Sequence, residues 1–204
     1  MRGVLLLNGE PYAGKIREGY TICCDGAYAW AKGKTKIDEN VGDFDSLPYL
    51  PEPAPKEIYP SEKDYTDGEI ALFRLLDMGV DEIAIYGGTG GREDHFLGNL
   101  QLLFAALERG VRAEMIGDRS RLFMARGKTE ICGEKGKTVS LLPFGGDALV
   151  ESSEGMKYPL SHLTLPYGRC RGISNVILSD EARFDCAKGT VLVAVNENPN
   201  EKSV

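Results

Sequence analysis

The chain has 204 residues, a formal net charge of −7 and 42% hydrophobic residues. This length and composition suit a globular protein of one large domain or two small ones. The acidic balance argues against a general nucleic-acid binder, which is normally basic, and no apolar run is long enough to span a membrane. Five cysteines without a Cys-x-x-Cys spacing favour reduced thiols in a cytoplasmic protein over a disulfide framework or a zinc site.

Strand and helix patterns alternate through the first half of the chain. Apolar runs predict strands at residues 3–7, 20–24, 37–42, 81–86 and 113–116. A short helix is expected at residues 28–31, and a longer one begins at Asp67, where Thr66 and Glu69 form a capping-box pattern. A further helix follows residues 87–91. The alternation predicts an α/β domain whose mainly parallel sheet is covered by flanking helices.

Two amphipathic stripes give the expected buried faces of the two longer helices. Ile70, Phe73 and Leu76, with Leu72 beside them, recur at helical spacing, and Gly79 is a good helix stop. The next helix carries a second stripe and ends at Gly110. Its members are Phe96, Leu100, Leu103 and Leu107.

The pattern changes after about residue 117, where helical periodicity ends. Short strand-like runs separated by Gly, Pro and charged turns lie at residues 121–125, 129–132, 138–142, 148–152, 163–165, 175–178, 182–185 and 190–195. Such a series predicts an all-β sandwich or barrel-like domain. We therefore expect an α/β domain at residues 1–119 and a β domain at residues 120–204.

Three aspartates fall at predicted strand ends. Asp25 follows the second strand, and Asp43 and Asp45 follow the third, between Gly42 and Pro48. The last two converge only if the backbone bends sharply, and converging carboxylates repel each other unless a hard cation such as Mg²⁺ lies between them. Ligands of parallel sheets bind beyond these strand ends. A solvated Asp/Ser turn that caps a helix remains the alternative.

A glycine-rich loop lies between a predicted strand and helix. Residues 87–91 contain four glycines, whose amides can cradle phosphate at a helix N-terminus. Arg92 can hold phosphate oxygens, Asp94 either caps the helix or binds a ligand, and His95 orients Asp94. The alternative is a flexible turn. Residues 43–47 also resemble the Asp-x-Asp-x-[Thr/Val] motif of haloacid-dehalogenase-like phosphatases, although Leu47 departs from its last position.

Four motifs in this order resemble those of the thiamine pyrophosphokinase family. They are Gly42-Asp43-x-Asp45-Ser46, Lys63-Asp64-x-Thr66-Asp67, Gly90-Gly91-Arg92-x-Asp94-His95 and Gly172-x-Ser174-Asn175. The resemblance covers nearly the whole chain, and the four motifs are specific only in combination. One departure is at residues 155–158, where the family often has Gly-Leu-Lys-Trp and this chain ends the motif with Tyr158.

The resemblance implies an enzyme that transfers the pyrophosphoryl group of ATP to thiamine. It implies a homodimer with sites shared between the chains and Mg²⁺ as cofactor. It assigns the metal to Asp25, Asp43, Asp45 and Asp67, and catalysis to Asp43, Asp45, Asp67 and Arg92. It assigns ATP to Gly88, Gly90, Gly91, Arg92, Asp94 and His95, and thiamine to Asp67, Tyr158, Ser174 and Asn175.

Two other functions are compatible with the same residues. A different Mg²⁺-dependent nucleotide kinase would keep the carboxylates and change the acceptor. A non-catalytic thiamine or nucleotide sensor would keep the pocket without turnover, but it has no evident need for so many carboxylates.

Overall fold

A computed structural model describes residues 1–45, 47–55, 58 and 64–198. The chain divides into two compact units, Met1–Asp118 and Arg119–Val204. The boundary predicted from the sequence, between residues 119 and 120, is one residue further along the chain. None of the helices in these described parts is long and apolar enough to cross a membrane.

The first unit is built on a parallel sheet of five strands. They are β1 (Arg2–Leu6), β2 (Tyr20–Cys24), β3 (Glu39–Val41), β4 (Glu82–Tyr86) and β5 (Arg112–Ile116). Neighbouring strands follow the order β5-β4-β1-β2-β3, and every pair is parallel. The prediction of a mainly parallel sheet is therefore confirmed. The order reverses between β1 and β4, and such a reversal opens a crevice at the carboxyl ends of the strands.

Three helices accompany this sheet: α1 (Ala27–Ala31), α2 (Asp67–Asp77) and α3 (Glu93–Glu108). The start of α2 is set by the predicted capping box. The Glu69 N–H donates to Thr66 Oγ1 at 3.2 Å, and the Thr66 N–H donates to Glu69 Oε2 at 2.9 Å. Both bonds satisfy amides that the first helical turn would otherwise leave without partners.

The buried face of α2 differs from the predicted stripe. Leu72, Leu75 and Leu76 are buried, whereas Ile70 and Phe73 are only partly so. At Gly3 a Cβ atom would lie 3.1 Å from Leu75 Cδ1, so the absence of a side chain there lets Leu75 pack closely against β1. Helical spacing alone fits both stripes, so packing against the sheet decides which one is buried. In α3, the predicted stripe is buried at Leu100 and Leu103 and partly buried at Phe96 and Leu107.

The second unit consists of antiparallel strands. They are β6 (Ser120–Cys132), β7 (Thr138–Pro143), β8 (Ala148–Glu154), β9 (Leu163–Leu165), β10 (Asn175–Val176) and β11 (Glu181–Asn196). β11 pairs with β6 along most of its length, while its other edge pairs first with β8 and then with β7. This change of neighbour folds the strands into two layers around one apolar core, which confirms the predicted β-sandwich class.

In two places, two consecutive predicted strands are one continuous long strand. Residues 121–125 and 129–132 both belong to β6, and residues 182–185 and 190–195 both belong to β11. Gly127 and Gly189 have φ of 64° and 80°, and the register of β11 shifts between Cys186 and Val191. A glycine in the left-handed region forms a bulge that bends a strand without ending it, so the polar glycine stretches were wrongly predicted as turns.

Candidate active site

A cleft of about 800 Å³ opens at the carboxyl ends of the parallel strands of the first unit. It lies between β1 and β4, where the strand order reverses. There the segment after β1 is bonded to the loop after β4, since the Gly9 N–H donates to Gly87 O at 2.8 Å. Four separate loops and the starts of α2 and α3 contribute to it. Its lining includes Asn8, Asp25, Asp43, Asp67, Gly90, Arg92, Asp94, His95 and Asn99.

The three predicted strand-end aspartates come together. Carboxylate oxygens of Asp25, Asp43 and Asp45 all lie within 4.8 Å of one another. The Asp25 N–H donates to Val41 O at 2.9 Å, which ties the ends of β2 and β3 together. Gly42 is needed for this approach, because a Cβ atom there would lie 3.0 Å from Asp25 Cβ. The structure therefore brings two strand ends close enough for three carboxylates to share one ligand.

Phe44 sets the direction of the two neighbouring carboxylates. Its φ is 59°, a conformation that a bulky side chain rarely adopts, and its ring is buried. The Asp45 N–H donates to Asp43 Oδ1 at 3.2 Å, which closes a tight turn. The turn therefore places the Asp43 side chain in the cleft lining and leaves the exposed Asp45 carboxylate within 4.8 Å of it.

The donor set of this cluster suits a hard divalent cation. Three carboxylates supply oxygen atoms only, which Mg²⁺ prefers, and their mutual repulsion is relieved by a cation between them. Asp67 lies outside this group of three but lines the same cleft. The Cys24 thiol donates to Asp67 O at 3.5 Å, which holds the start of α2 against the end of β2.

The glycine-rich loop packs tightly on the segment that follows β1. Gly87, Gly90 and Gly91 have φ between 68° and 70°. A Cβ atom on Gly87 would lie 2.1 Å from Leu7 O, and one on Gly90 would lie 2.8 Å from Glu10 Cβ. Close packing against the segment after β1 therefore requires Gly87 and Gly90 independently of any ligand, whereas a Cβ atom on Gly91 would make only an ordinary contact, 3.8 Å from Gly9 Cα. Of the predicted ATP-binding glycines, the described cleft lining includes Gly90 but not Gly88 or Gly91.

Arg92 and Asp94 form a bidentate ion pair at the mouth of the cleft. Arg92 Nε lies 3.1 Å from Asp94 Oδ1, and Arg92 Nη2 lies 2.6 Å from Asp94 Oδ2. The hydrogen bonds from Arg92 hold the pKa of the Asp94 carboxyl below its ordinary value. Arg92 is the N-cap residue of α3 and makes no side-chain capping bond, so Asp94 is not the N-cap residue, although its carboxylate accepts an amide of the first helical turn. His95 donates its backbone N–H, not its ring, to Asp94 Oδ1.

Tyr158, Ser174 and Asn175 belong to the second unit, where they differ in exposure. The Tyr158 side chain is 55% exposed. Ser174 has a φ of 60°, and its N–H donates to Ser140 Oγ at 3.0 Å. Asn175 is only 2% exposed, and its amide bonds to the backbone of Tyr158. The structure thus presents Tyr158 to solvent and buries Asn175.

Two asparagines that line the cleft were missed by sequence reasoning. Asn8 directly follows β1, at the same edge of the sheet as Asp25, so the strand-end rule would have found it. Asn99 lies four residues after His95 and hence on the same face of α3, and it donates from Nδ2 to Gly88 O at 2.9 Å. Ser46 and Lys63, which belong to the predicted motifs, lie outside the described residues.

The architecture defines a two-part protein: a parallel α/β unit with an acidic strand-end cleft, followed by a β-sandwich unit. The family profile described as "Thiamin pyrophosphokinase, catalytic domain" matches residues 16–115. A second profile, "Thiamin pyrophosphokinase, vitamin B1 binding domain", matches residues 128–191. The chain belongs to the thiamine pyrophosphokinase family.

Relatives and solved structures agree with this assignment. The chain is 34% identical over 163 residues to the thiamine pyrophosphokinase of Bacillus subtilis, covering 76% of each protein. The crystal structure of a Bacillus subtilis thiamine pyrophosphokinase superposes with a TM-score of 0.84 at 27% identity, covering 97% of this chain and 100% of that one. The crystal structure of thiamin pyrophosphokinase from Geobacillus thermodenitrificans superposes with a TM-score of 0.84 at 24% identity. The match covers 98% of this chain and 99% of that one and shows that the two share a fold.

Proposed function

We propose that this protein transfers the pyrophosphoryl group of ATP to the hydroxyl of thiamine, giving thiamine diphosphate and AMP. The observation that carries the proposal is the shared cleft of the first unit. There the carboxylates of Asp25 and Asp43 face the same space as Gly90 and Arg92. Carboxylates for a metal and cationic or amide donors for phosphate are what pyrophosphoryl transfer requires together.

Mg²⁺ is the proposed cofactor, held by Asp25, Asp43 and Asp45 with Asp67 beside them. When bound, it would neutralise the charge of the phosphate oxygens. The three carboxylates would hold the ion between the ends of β2 and β3, which the Asp25–Val41 hydrogen bond joins. Their orientation is therefore set before a ligand arrives, because the Asp25–Val41 hydrogen bond and the buried Phe44 ring determine it.

The remaining groups of the cleft bind and orient the substrates. Arg92 and the N-terminus of the 16-residue helix α3 attract the triphosphate, and Asp94 keeps the guanidinium in place. Asp67, at the start of α2, binds the aminopyrimidine of thiamine or accepts the proton of its hydroxyl. Since the protein needs no covalent intermediate, alignment and charge stabilisation supply the rate enhancement.

Tyr158 is the proposed stacking partner of the thiamine pyrimidine. Its exposed ring is available for a flat ligand, whereas a packing role would bury it. We expect Tyr158→Ala to raise the KM for thiamine about fivefold, since stacking contributes on the order of 1 kcal/mol, and to leave the KM for ATP unchanged. Tyr158→Trp should match or improve on the parent. Initial rates at varied thiamine and ATP check this, and an equal loss for both substrates would make Tyr158 a packing residue.

The protein is proposed to act as a homodimer in which each site uses the first unit of one chain and the second unit of its partner. A twofold axis can bring the same two patches together twice. Two damaged variants, Asp43→Asn and Ser174→Trp, should then rescue each other when they are unfolded and refolded together. Random pairing makes about half the dimers mixed, each with one intact site, so activity should return to about a quarter of the parent.

Mass spectrometry of the refolded mixture shows whether mixed dimers formed, and circular dichroism of each variant alone shows that it folds. If mixed dimers are present and the mixture stays as inactive as its components, each site lies within one chain. The shared site is then wrong, although the proposed reaction is unaffected.

A reducing, cytoplasmic location completes the proposal. All five cysteines are free, and Cys132 and Cys170 are exposed. Burial, with a smaller effect of Asp25, raises the pKa of the Cys23 thiol to about 12, so this thiol stays protonated at neutral pH. Exposed free thiols persist in a reducing compartment.

The proposed reaction is tested by following AMP with ATP, Mg²⁺ and thiamine. AMP should form only when all three are present, in a 1:1 ratio to thiamine diphosphate. ADP in place of AMP would indicate an ordinary kinase. Binding of thiamine without any nucleotide consumption would indicate a sensor. Either result would overturn the proposal.

A further inference from the structure

The side chain of Asn175, the first residue of β10, makes an unusual set of hydrogen bonds. Its Oδ1 accepts the N–H of Tyr158 and the N–H of Val176, both at 2.9 Å. Its Nδ2 donates to Tyr158 O at 2.7 Å and contacts Met156 Sδ at 3.8 Å. The amide therefore bonds both the N–H and the C=O of Tyr158.

These contacts use the full hydrogen-bonding capacity of the side chain. An asparagine amide accepts two hydrogen bonds and donates two, and each of the four is directed at residues 156, 158 or 176. The residue is also 2% exposed. Asn175 has no donor or acceptor left for a ligand, so the predicted direct contact of Asn175 with thiamine does not fit its environment.

The bonded segment is the end of a short antiparallel ladder. The Leu178 N–H donates to Gly155 O at 2.8 Å, and the Lys157 N–H donates to Val176 O at 2.9 Å, with Met156 and Ile177 forming the bridge between them. The next opposed pair is Tyr158 and Asn175. There the Asn175 side chain takes the place of a strand backbone, because it offers the same acceptor and donor as a peptide group.

We propose that Asn175 is a positioning residue that fixes the backbone of Tyr158 and thereby the ring that receives thiamine. This inference rests on the proposed function, since it takes Tyr158 as the thiamine-stacking residue. The ring is exposed, and among the described residues its one cation–π or aromatic contact is with Lys157 Nζ, 5.4 Å from the centroid. The ring direction then depends on the backbone, which Asn175 bonds on one side and Pro159 restricts on the other.

A double-mutant cycle separates positioning from a merely structural role. Asn175→Ala should raise the KM for thiamine two- to fivefold, bounded by the roughly fivefold stacking effect of Tyr158 itself, with kcat and the KM for ATP unchanged. In a Tyr158→Ala background, Asn175→Ala should have no further effect on the KM for thiamine. If the two effects multiply instead, Asn175 does not act through Tyr158, and the proposal is wrong.

Thr190→Val is the matched control for loss of a buried hydrogen bond in the same unit. Thr190 is 3% exposed and accepts a 2.6 Å hydrogen bond from Arg126 Nε. This variant should lower the melting temperature as Asn175→Ala does, but leave the KM for thiamine at the parent value. A matching rise in that KM would assign the Asn175 effect to general destabilisation and overturn the proposal.

A fluorescence measurement tests the backbone hold without turnover. In a Tyr158→Trp, Trp30→Phe background, residue 158 carries the single tryptophan, and adding Asn175→Ala should lower its steady-state anisotropy. Unchanged anisotropy would show that Asn175 does not hold residue 158. If anisotropy falls but Tyr158→Ala leaves the KM for thiamine unchanged, the hold is real and the thiamine role of Tyr158 is wrong, so the two failures are distinguishable.

Discussion

Asp43→Asn is expected to lower turnover by about a hundredfold or more, because charge stabilisation is the main catalytic contribution in phosphoryl-type transfer. The substitution removes one charge from the cluster with Asp25 and Asp45 and preserves the shape of the side chain. Its amide oxygen can still accept the Asp45 N–H, so the turn should persist. Removing one of three repelling charges should leave the melting temperature without Mg²⁺ unchanged or slightly raised.

Asp77→Asn provides the control for this substitution. Asp77 is an exposed carboxylate at the opposite end of α2 from the cleft, paired with Arg109. The control should turn over like the parent. Near-parent turnover of Asp43→Asn at saturating Mg²⁺ would remove Asp43 from the metal site. Unfolding of the variant would support the alternative that the aspartates serve only a structural turn.

Arg92→Ala should lower kcat/KM for ATP by about a hundredfold, comparable to the loss of one pre-oriented donor to a charged transition state. The guanidinium stands at the mouth of the cleft, and its two hydrogen bonds to Asp94 hold it there. Arg92→Lys should recover only part of the loss, because an ammonium group lacks the planar fork that engages phosphate and carboxylate together. Initial rates at varied ATP give the comparison.

Arg109→Ala is matched to Arg92→Ala by position and chemistry. Arg109 caps the other end of α3 and also pairs with an exposed aspartate, Asp77. Its loss should leave kcat/KM for ATP unchanged, since exposed ion pairs contribute little to stability. If both variants lose activity equally, Arg92 acts on the fold and not on phosphate.

Much of the first unit follows from local sequence rules. Continuous apolar runs predict strands buried on both faces, and Thr66 with Glu69 predicts the first turn of α2, because these signals act within a few residues. The parallel arrangement then carries Asp25, Asp43 and Asp45 to one edge of the sheet, and the pairing of β2 with β3 brings them together there.

Other features depend on contacts between residues distant in the sequence. Gly127 and Gly189 looked like turn residues, yet pairing between β6 and β11 continues around them. The close packing of Leu75 of α2 on β1 uses the absence of a side chain at Gly3. Asn175 matched a ligand-binding motif, whereas the neighbouring ladder engages its amide. In each case a residue distant in the sequence determines the local structure, and the periodicity of the local sequence carries no information about that distant residue.

The fate of the β-phosphate of ATP tests the central claim most directly. ATP radiolabelled at the β-phosphate, incubated with the protein, Mg²⁺ and thiamine, should pass its label to thiamine diphosphate and leave AMP unlabelled. The Asp43→Asn variant should show the same transfer at a far lower rate. Label retained in ADP, with thiamine gaining only the γ-phosphate, would contradict pyrophosphoryl transfer.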